Sequence, residues 1–360
     1  MRTGVANLPL HYGKAPAWLF EKMVRLSREV ICLLVQERGK KEFFKKISDP
    51  VWFQAFGCAL GFDWHSSGLT TTVCGAIKES LKDIGNELGV FVAGGKGKTA
   101  LSTPQQINRI GDRFSLPCAC EKLIQASRIT AKVDNSCLQD GFQLYHHTFL
   151  FTKEGDWCVI QQGMNPGRGW ARRYHWLNRE NIDFVNEPHQ GIISSWKGEV
   201  LNLVAEESNG ARMTITNLLR EDPEHLMKDF RKIREFTLPA HHHIEGVWVD
   251  EKKLRKVILR AHEKNPSDFT QVIGIKGMGA KSLRALALIS ELVYSEKVSR
   301  RDPARYSFAH GGKDGYPYPV DKKTYEESIY FLREAVSKAK AGRKEKLKAF
   351  RQLSMLRRRS

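Results

Sequence analysis

No apolar run in the 360 residues reaches the roughly 20 residues that a membrane-spanning helix requires. The first residues, Met1-Arg2-Thr3-Gly4-Val5-Ala6-Asn7, lack the charged-then-apolar layout of a signal peptide. Together these absences predict a cytoplasmic protein with no membrane partner. Cysteine is sparse: Cys32, Cys58, Cys74, Cys118, Cys120, Cys137 and Cys158 are the seven. Their odd number and wide scatter argue against a disulfide framework. Only Cys118-Ala119-Cys120 is close-spaced, and one C-x-C without a second pair is a poor zinc signal, so free buried thiols are expected. A complete nucleotide P-loop is missing as well. Val90-Phe91-Val92-Ala93 runs into Gly94-Gly95-Lys96-Gly97-Lys98-Thr99, but Val92 stands where the motif needs glycine, and Pro104 falls where its helix should be established. What remains is a glycine-lysine turn in which Lys96 and Lys98 could meet a nucleic-acid phosphate.

Positive charge, by contrast, is abundant and unevenly placed. The formal net charge is +18, and residues 211–360 hold 33 Lys+Arg against 19 Asp+Glu, which is +14 of it. A basic C-terminal part beside a nearly neutral larger part points to a polyanion, with nucleic acid the first candidate.

Apolar periodicity and turn residues divide the chain. Trp18, Leu19, Met23, Leu26, Val30, Leu33 and Leu34 recur at helical spacing, with Gly39-Lys40-Lys41 closing the helix. Asp49-Pro50 opens a second helical segment, Thr70–Leu88 reads helical, and residues 101–127 are mostly helical with a break at Leu116-Pro117. Strands are expected at Ala131–Asn135, Phe142–Phe151 and Trp157–Met164, with turns at Gln139-Asp140-Gly141 and Lys153–Asp156. Beyond a boundary near Asn209-Gly210 the pattern is helical, with Pro223 starting one helix and Lys252–Glu263 forming another. The fold class is therefore α+β: residues 1–209 form a mixed domain with an antiparallel sheet, residues 210–337 a helical domain, and residues 338–360 a basic helix or arm.

Two stretches carry candidate chemistry. The first is Gly274-Ile275-Lys276-Gly277-Met278-Gly279-Ala280-Lys281-Ser282, a glycine turn opening into an apolar-periodic helix and preceded by a short helix capped by Asn265 or Ser267. Gly277 and Gly279 would let the backbone approach a ligand, and the N–H groups at the start of the second helix suit a phosphate. Lys276, Gly277, Gly279, Lys281 and Ser282 are the expected nucleic-acid contacts. Arg172 and Arg173, interleaved with aromatics in Trp170–Trp176, join them, although a solvated loop with anchoring aromatics is the alternative there. The second stretch is the strand region. Lys132, Asp134, Asp140, His147, Asp156 and Gln162 are candidate catalytic residues, and Asp134, Asp140 and Asp156 would hold Mg²⁺ or Mn²⁺ against a phosphodiester. Asp63 and His65, in an earlier polar loop, could join them through tertiary contact. The run His241-His242-His243 is set aside, because adjacent residues cannot all face one ion from a regular element.

Helix, glycine hairpin, helix is the pattern of a helix-hairpin-helix module. Together with Pro319-Val320-Asp321, the hairpin is similar to the base-excision glycosylases of that superfamily. The similarity implies Lys281 as a Schiff-base nucleophile and Asp321 as its partner. The connection to Asp321 is far longer than in that family, however, and the cysteine cluster of its iron–sulfur members is missing. Over nearly its whole length the chain resembles a prokaryotic domain-of-unknown-function family, DUF763. The resemblance is carried by Leu8–His11, Gly61–Gly68, Lys132–Asn135, Leu138–Gly141, Leu144–His147, Val159–Met164 and Tyr306–Gly315.

The leading expectation is a DNA-processing enzyme, a metal-dependent nuclease gripping double-stranded or branched DNA through the hairpin. A glycosylase/AP lyase is the alternative, and a non-enzymatic DNA-repair scaffold the second. A homodimer is a further expected association.

Overall fold

The computed structural model describes residues 15–62, 67–233 and 250–305, together with a subset of 330–353. Three helices form one outer layer: α1 (Ala17–Ser48), α2 (Pro50–Ala59) and α3 (Gly68–Leu81). Gly39 does not end the first of these; at φ 84° it kinks α1, and the chain resumes helix beyond it. Asp49 caps α2 by accepting the Trp52 N–H at 2.8 Å, and Pro50 takes the first helical position, where its missing donor is harmless.

A four-residue turn of helix, α4 (Gly85–Leu88), leads to β1 (Val90–Lys96). Then come α5 (Lys98–Leu101), α6 (Thr103–Phe114) and α7 (Cys120–Lys132). The strands are β2 (Leu138–Gln139), β3 (Gln143–Thr152), β4 (Trp157–Asn165), β5 (Trp170–Leu177), β6 (Gly191–Ser194) and β7 (Leu201–Asn202). The main sheet runs β1-β3-β4-β5-β6 and is antiparallel throughout; β2 and β7 make a separate two-stranded ribbon. At Gly94 the pairing of β1 with β3 is so close that a Cβ would lie 2.1 Å from the His147 carbonyl oxygen, so this glycine serves the sheet.

Alternation along the strands splits the apolar side chains between two cores. Phe149, Phe151, Trp157, Val159, Tyr174 and Trp176 face α6 and α7, while Leu150, Cys158 and Ile160 face α1, α2 and α3. The sheet is thus a middle layer buried on both sides. The first of these cores continues without a break into α8 (Asn209–Leu218), α9 (Pro223–Ile233), α10 (Glu251–Lys264), α11 (Phe269–Gly274) and α12 (Ala280–Leu292). Residues on both sides of position 209/210 therefore share one apolar cluster. At the far end of the chain, Leu332, Ala335, Val336, Ala349 and Leu353 pack into the α1–α3 core, so these C-terminal residues return to the N-terminal layer.

Two local expectations change. The strand expected at Ala131–Asn135 is the end of α7 followed by a π-helical turn, Val133–Cys137. Its β-branched residues suggested extended chain. Burial of Ile129, Thr130, Val133 and Cys137 at helical spacing overrides that propensity. Trp170–Trp176, read as a nucleic-acid contact surface with a solvated loop as the alternative, belongs to β5, whose residues Ala171–Trp176 are all buried.

Candidate functional site

The hairpin Ile275–Gly279 joins α11 to α12. Asp268, rather than Asn265 or Ser267, caps α11, accepting the Gln271 N–H at 2.9 Å. Gly277 has φ +95°, a left-handed conformation that favours glycine. Gly279 differs. Its φ of −133° and ψ of −176° suit any residue, and the nearest atom to a Cβ placed there is the Gly277 carbonyl oxygen at 3.9 Å. Among the described residues, chain neighbours aside, no atom stands where a Cβ at 279 would clash.

The hairpin is held from behind. Lys132 Nζ donates to the carbonyl oxygens of Met278 (2.6 Å) and Ile275 (3.3 Å), and Gln139 Nε2 donates to that of Ala280 (2.7 Å). Burial lowers the Lys132 amine from its ordinary value. Carbonyls drawn inward leave the amides of Ala280, Lys281 and Ser282, the orphan donors of the α12 N-terminus, without a protein acceptor among the described residues. Lys276, Gly277 and Lys281 are exposed around them, and Ser282 is buried.

A second polar cluster lies on the α7 face of the sheet. Ser127 Oγ shares a hydrogen bond with His147 Nε2 (2.9 Å), and His147 Nδ1 shares one with Gln161 Oε1 (2.7 Å). Gln161 Nε2 donates to Asp134 Oδ2 (2.5 Å), as does Trp176 Nε1 (2.9 Å). His189 Nε2 meets Asp134 Oδ1 at 2.5 Å. Asp140 lies on the same face. Its Oδ2 accepts from Tyr174 Oη (2.7 Å) and Arg172 Nη1 (2.9 Å), its Oδ1 from the Phe142 N–H (2.9 Å), and Arg172 Nη2 also reaches Asp302 (2.7 Å). Burial would lower the Arg172 guanidinium, but Asp140, Tyr174 and Asp302 outweigh it and hold it charged. Burial pushes His147 down, toward the neutral imidazole.

On the opposite face, Gln162 accepts from Thr70 Oγ1 and donates to Tyr145 Oη and to the Ser67 carbonyl oxygen (2.9 Å). Arg173 is fully buried there. It donates to Gln54 Oε1 (2.8 Å) and Thr70 Oγ1 (3.3 Å), and its guanidinium lies 4.7 Å from the Phe53 ring centroid. No carboxylate pairs with it among the described residues, and burial lowers it to about 9.

The expected catalytic set is therefore divided. Asp134, Asp140 and His147 share one face, Gln162 lies on the other, and Lys132 braces the hairpin. Asp156 sits in the turn at the far end of β3 and β4, five residues along the strand from Gln161, or roughly 17 Å by strand rise. Among the described residues no group of three His, Cys, Asp or Glu side chains is arranged to hold a metal ion. Arg172 and Arg173, expected on a nucleic-acid surface, are both completely buried, whereas Lys96 and Lys98 are exposed. Sequence reasoning missed His189, Ser127, Gln139 and Asp302. Each works through a partner at least 20 residues away, which no local pattern marks. Asp63, His65, the three histidines at 241–243 and Asp321 lie outside the described residues.

Among known families, residues 4–320 match the one described as protein of unknown function (DUF763). No curated protein and no solved structure matches the chain.

Proposed function

Because the chain belongs to the DUF763 family, whose description assigns no activity, its function has to be argued from its own residues, and we propose that it binds double-stranded or branched DNA by gripping the phosphate backbone with the α11–α12 hairpin. The observation that carries this reading is Gly279, where a Cβ would clash with no described atom, standing in front of three helix N-terminal amides that have no acceptor among the described residues. A missing side chain at that point lets a phosphate oxygen come within hydrogen-bonding distance of the backbone. Exposed Lys276 and Lys281 flank it with charge, as does the +14 carried by residues 211–360.

Metal-dependent phosphodiester cleavage is the second reading. Asp134 and Asp140 on one sheet face support it. Against it, every oxygen of both carboxylates already accepts a hydrogen bond, and both side chains are buried, so they do not offer an open position to a hard cation as they stand. Glycosylase chemistry at Lys281 has less support, since that lysine is exposed and lacks the burial that activates an amine nucleophile.

Labelled duplex and branched DNA titrated with the wild-type protein and with Lys276→Gln/Lys281→Gln test the reading. Loss of two phosphate contacts should flatten the log–log salt slope by about 2. An unchanged slope with unchanged affinity would contradict the hairpin grip. Incubating the same DNA with Mg²⁺ or Mn²⁺ separates binding from cleavage, and intact DNA is the expected result.

A further inference from the structure

A groove of about 610 Å³ opens beside the hairpin, between α6 and α7 on one side and α10 and α11 on the other. Ile124 and Ile275 give it apolar walls, Asn108 and Gln125 place amides at its edge, and Arg128 and Lys264 bring cations to it. Neither cation has an acidic partner among the described residues. One acid, Glu121, also lines it.

We propose that this groove receives an unpaired nucleotide of the strand whose phosphates the hairpin holds. The proposal rests on the hairpin reading and adds a preference for DNA that is not fully paired. Three features of the groove fit a nucleotide. Its volume falls within the range of small-ligand sites. A nucleobase has apolar faces and a polar edge; aliphatic walls would take the faces, and side-chain amides of Asn108 and Gln125 can both donate to and accept from the edge. Glu121 would accept from an exocyclic amino group, while Arg128 and Lys264 meet the phosphate.

Position supplies the remaining argument. Gly274 and Ile275 line the groove, and Gly279 lies four residues beyond Ile275, at most about 14 Å away along the chain. A stacked strand rises about 3.4 Å per nucleotide, so the groove is within about four nucleotides of the hairpin phosphate. Lys264 continues a line of exposed cations on α10, Lys256 and Arg260, and Arg260 Nη1 donates to the Lys276 carbonyl oxygen at 3.3 Å. One charged surface thus joins the hairpin to the groove.

The test compares a blunt duplex with the same duplex carrying a short single-stranded overhang that contains 2-aminopurine. Wild-type protein should bind the overhang form about tenfold more tightly, the order of one well-held base. The 2-aminopurine emission should change on binding. Asn108→Leu/Gln125→Leu alters two exposed side chains, so the fold is retained; it should erase that preference and the emission change while keeping affinity for the blunt duplex. No wild-type preference, or a preference that survives the double substitution, would overturn the groove assignment and leave the hairpin reading standing. Gly279→Val should weaken binding of both forms; if it weakens neither, the hairpin reading itself fails.

Discussion

Three imidazoles show how strongly burial governs this chain at the scale of single residues. Burial pushes His146 down to about 3, and pushes His147 and His175 below their ordinary value as well. Each stays neutral in the folded protein while the unfolded chain protonates near pH 6.5. A depressed histidine therefore contributes stability that is complete above pH 6.5 and is lost as pH falls toward the folded value. Each such group removes up to about 1.4 kcal/mol per pH unit in that window. Burial raises the Asp140 carboxyl, which opposes the trend, but one carboxyl stands against three imidazoles. Urea unfolding midpoints should fall steadily between pH 6.5 and pH 5, and a midpoint that stays level would show that these imidazoles are not buried neutral. Asp302 is the other informative residue. It pairs with buried Arg172 and accepts the Gly198 and Ala304 N–H groups, fastening a late segment to β5. Asp302→Ala leaves part of a buried guanidinium uncompensated and should cost about 3–5 kcal/mol in chemical denaturation. A cost under 1 kcal/mol would contradict the pairing.

At the scale of elements, the helices were the most legible part of the sequence. Pro223 and the apolar repeat Leu226, Phe230, Ile233 located α9, and α10 lies within a residue of its expected span. The glycine turn between α11 and α12 was legible for the same reason, since its residues act locally. β5 was hidden because two arginines, a tyrosine and a histidine in sequence read as surface, whereas long-range partners such as Asp140, Asp302, Gln54 and Thr70 make their burial tolerable. Lys132 and Asp134, expected side by side on a strand, instead sit at the turn from α7 into a π-helical segment. One faces the hairpin and the other the sheet. Lys132→Met should therefore act on the hairpin. DNA affinity is expected to drop severalfold, with faster amide hydrogen exchange at residues 275–280, while the sheet amides keep their protection. Unchanged exchange at the hairpin would remove Lys132 from its role as brace.

For the molecule as a whole, charge and packing assign different work to the two sides of one continuous core. The sheet and its flanking helices bury Asp134, Asp140, His147 and Gln162 and give each of them hydrogen-bond partners within the fold. At the start of α12, by contrast, the first amides have no acceptor among the described residues, and Lys276 and Lys281 are exposed. The overall α+β class and the antiparallel sheet could be read from alternation and turn residues. The sharing of one apolar cluster across position 209/210 could not, because it joins residues more than a hundred positions apart, such as Phe149 and Leu286.

The central claim is that Gly279 keeps its place for a phosphate. Duplex DNA binding by wild-type protein and by Gly279→Val, each titrated across a range of salt concentrations, tests it most directly. A Cβ at position 279 fits the backbone without strain and, chain neighbours aside, meets no described atom nearer than 3.9 Å, so the fold should be retained at no more than the modest cost of a poorer N-cap residue. Wild-type affinity should fall steeply with salt, and the variant should bind at least about tenfold more weakly at low salt with a shallower slope. Equal affinity and equal slope for the two proteins would contradict the account.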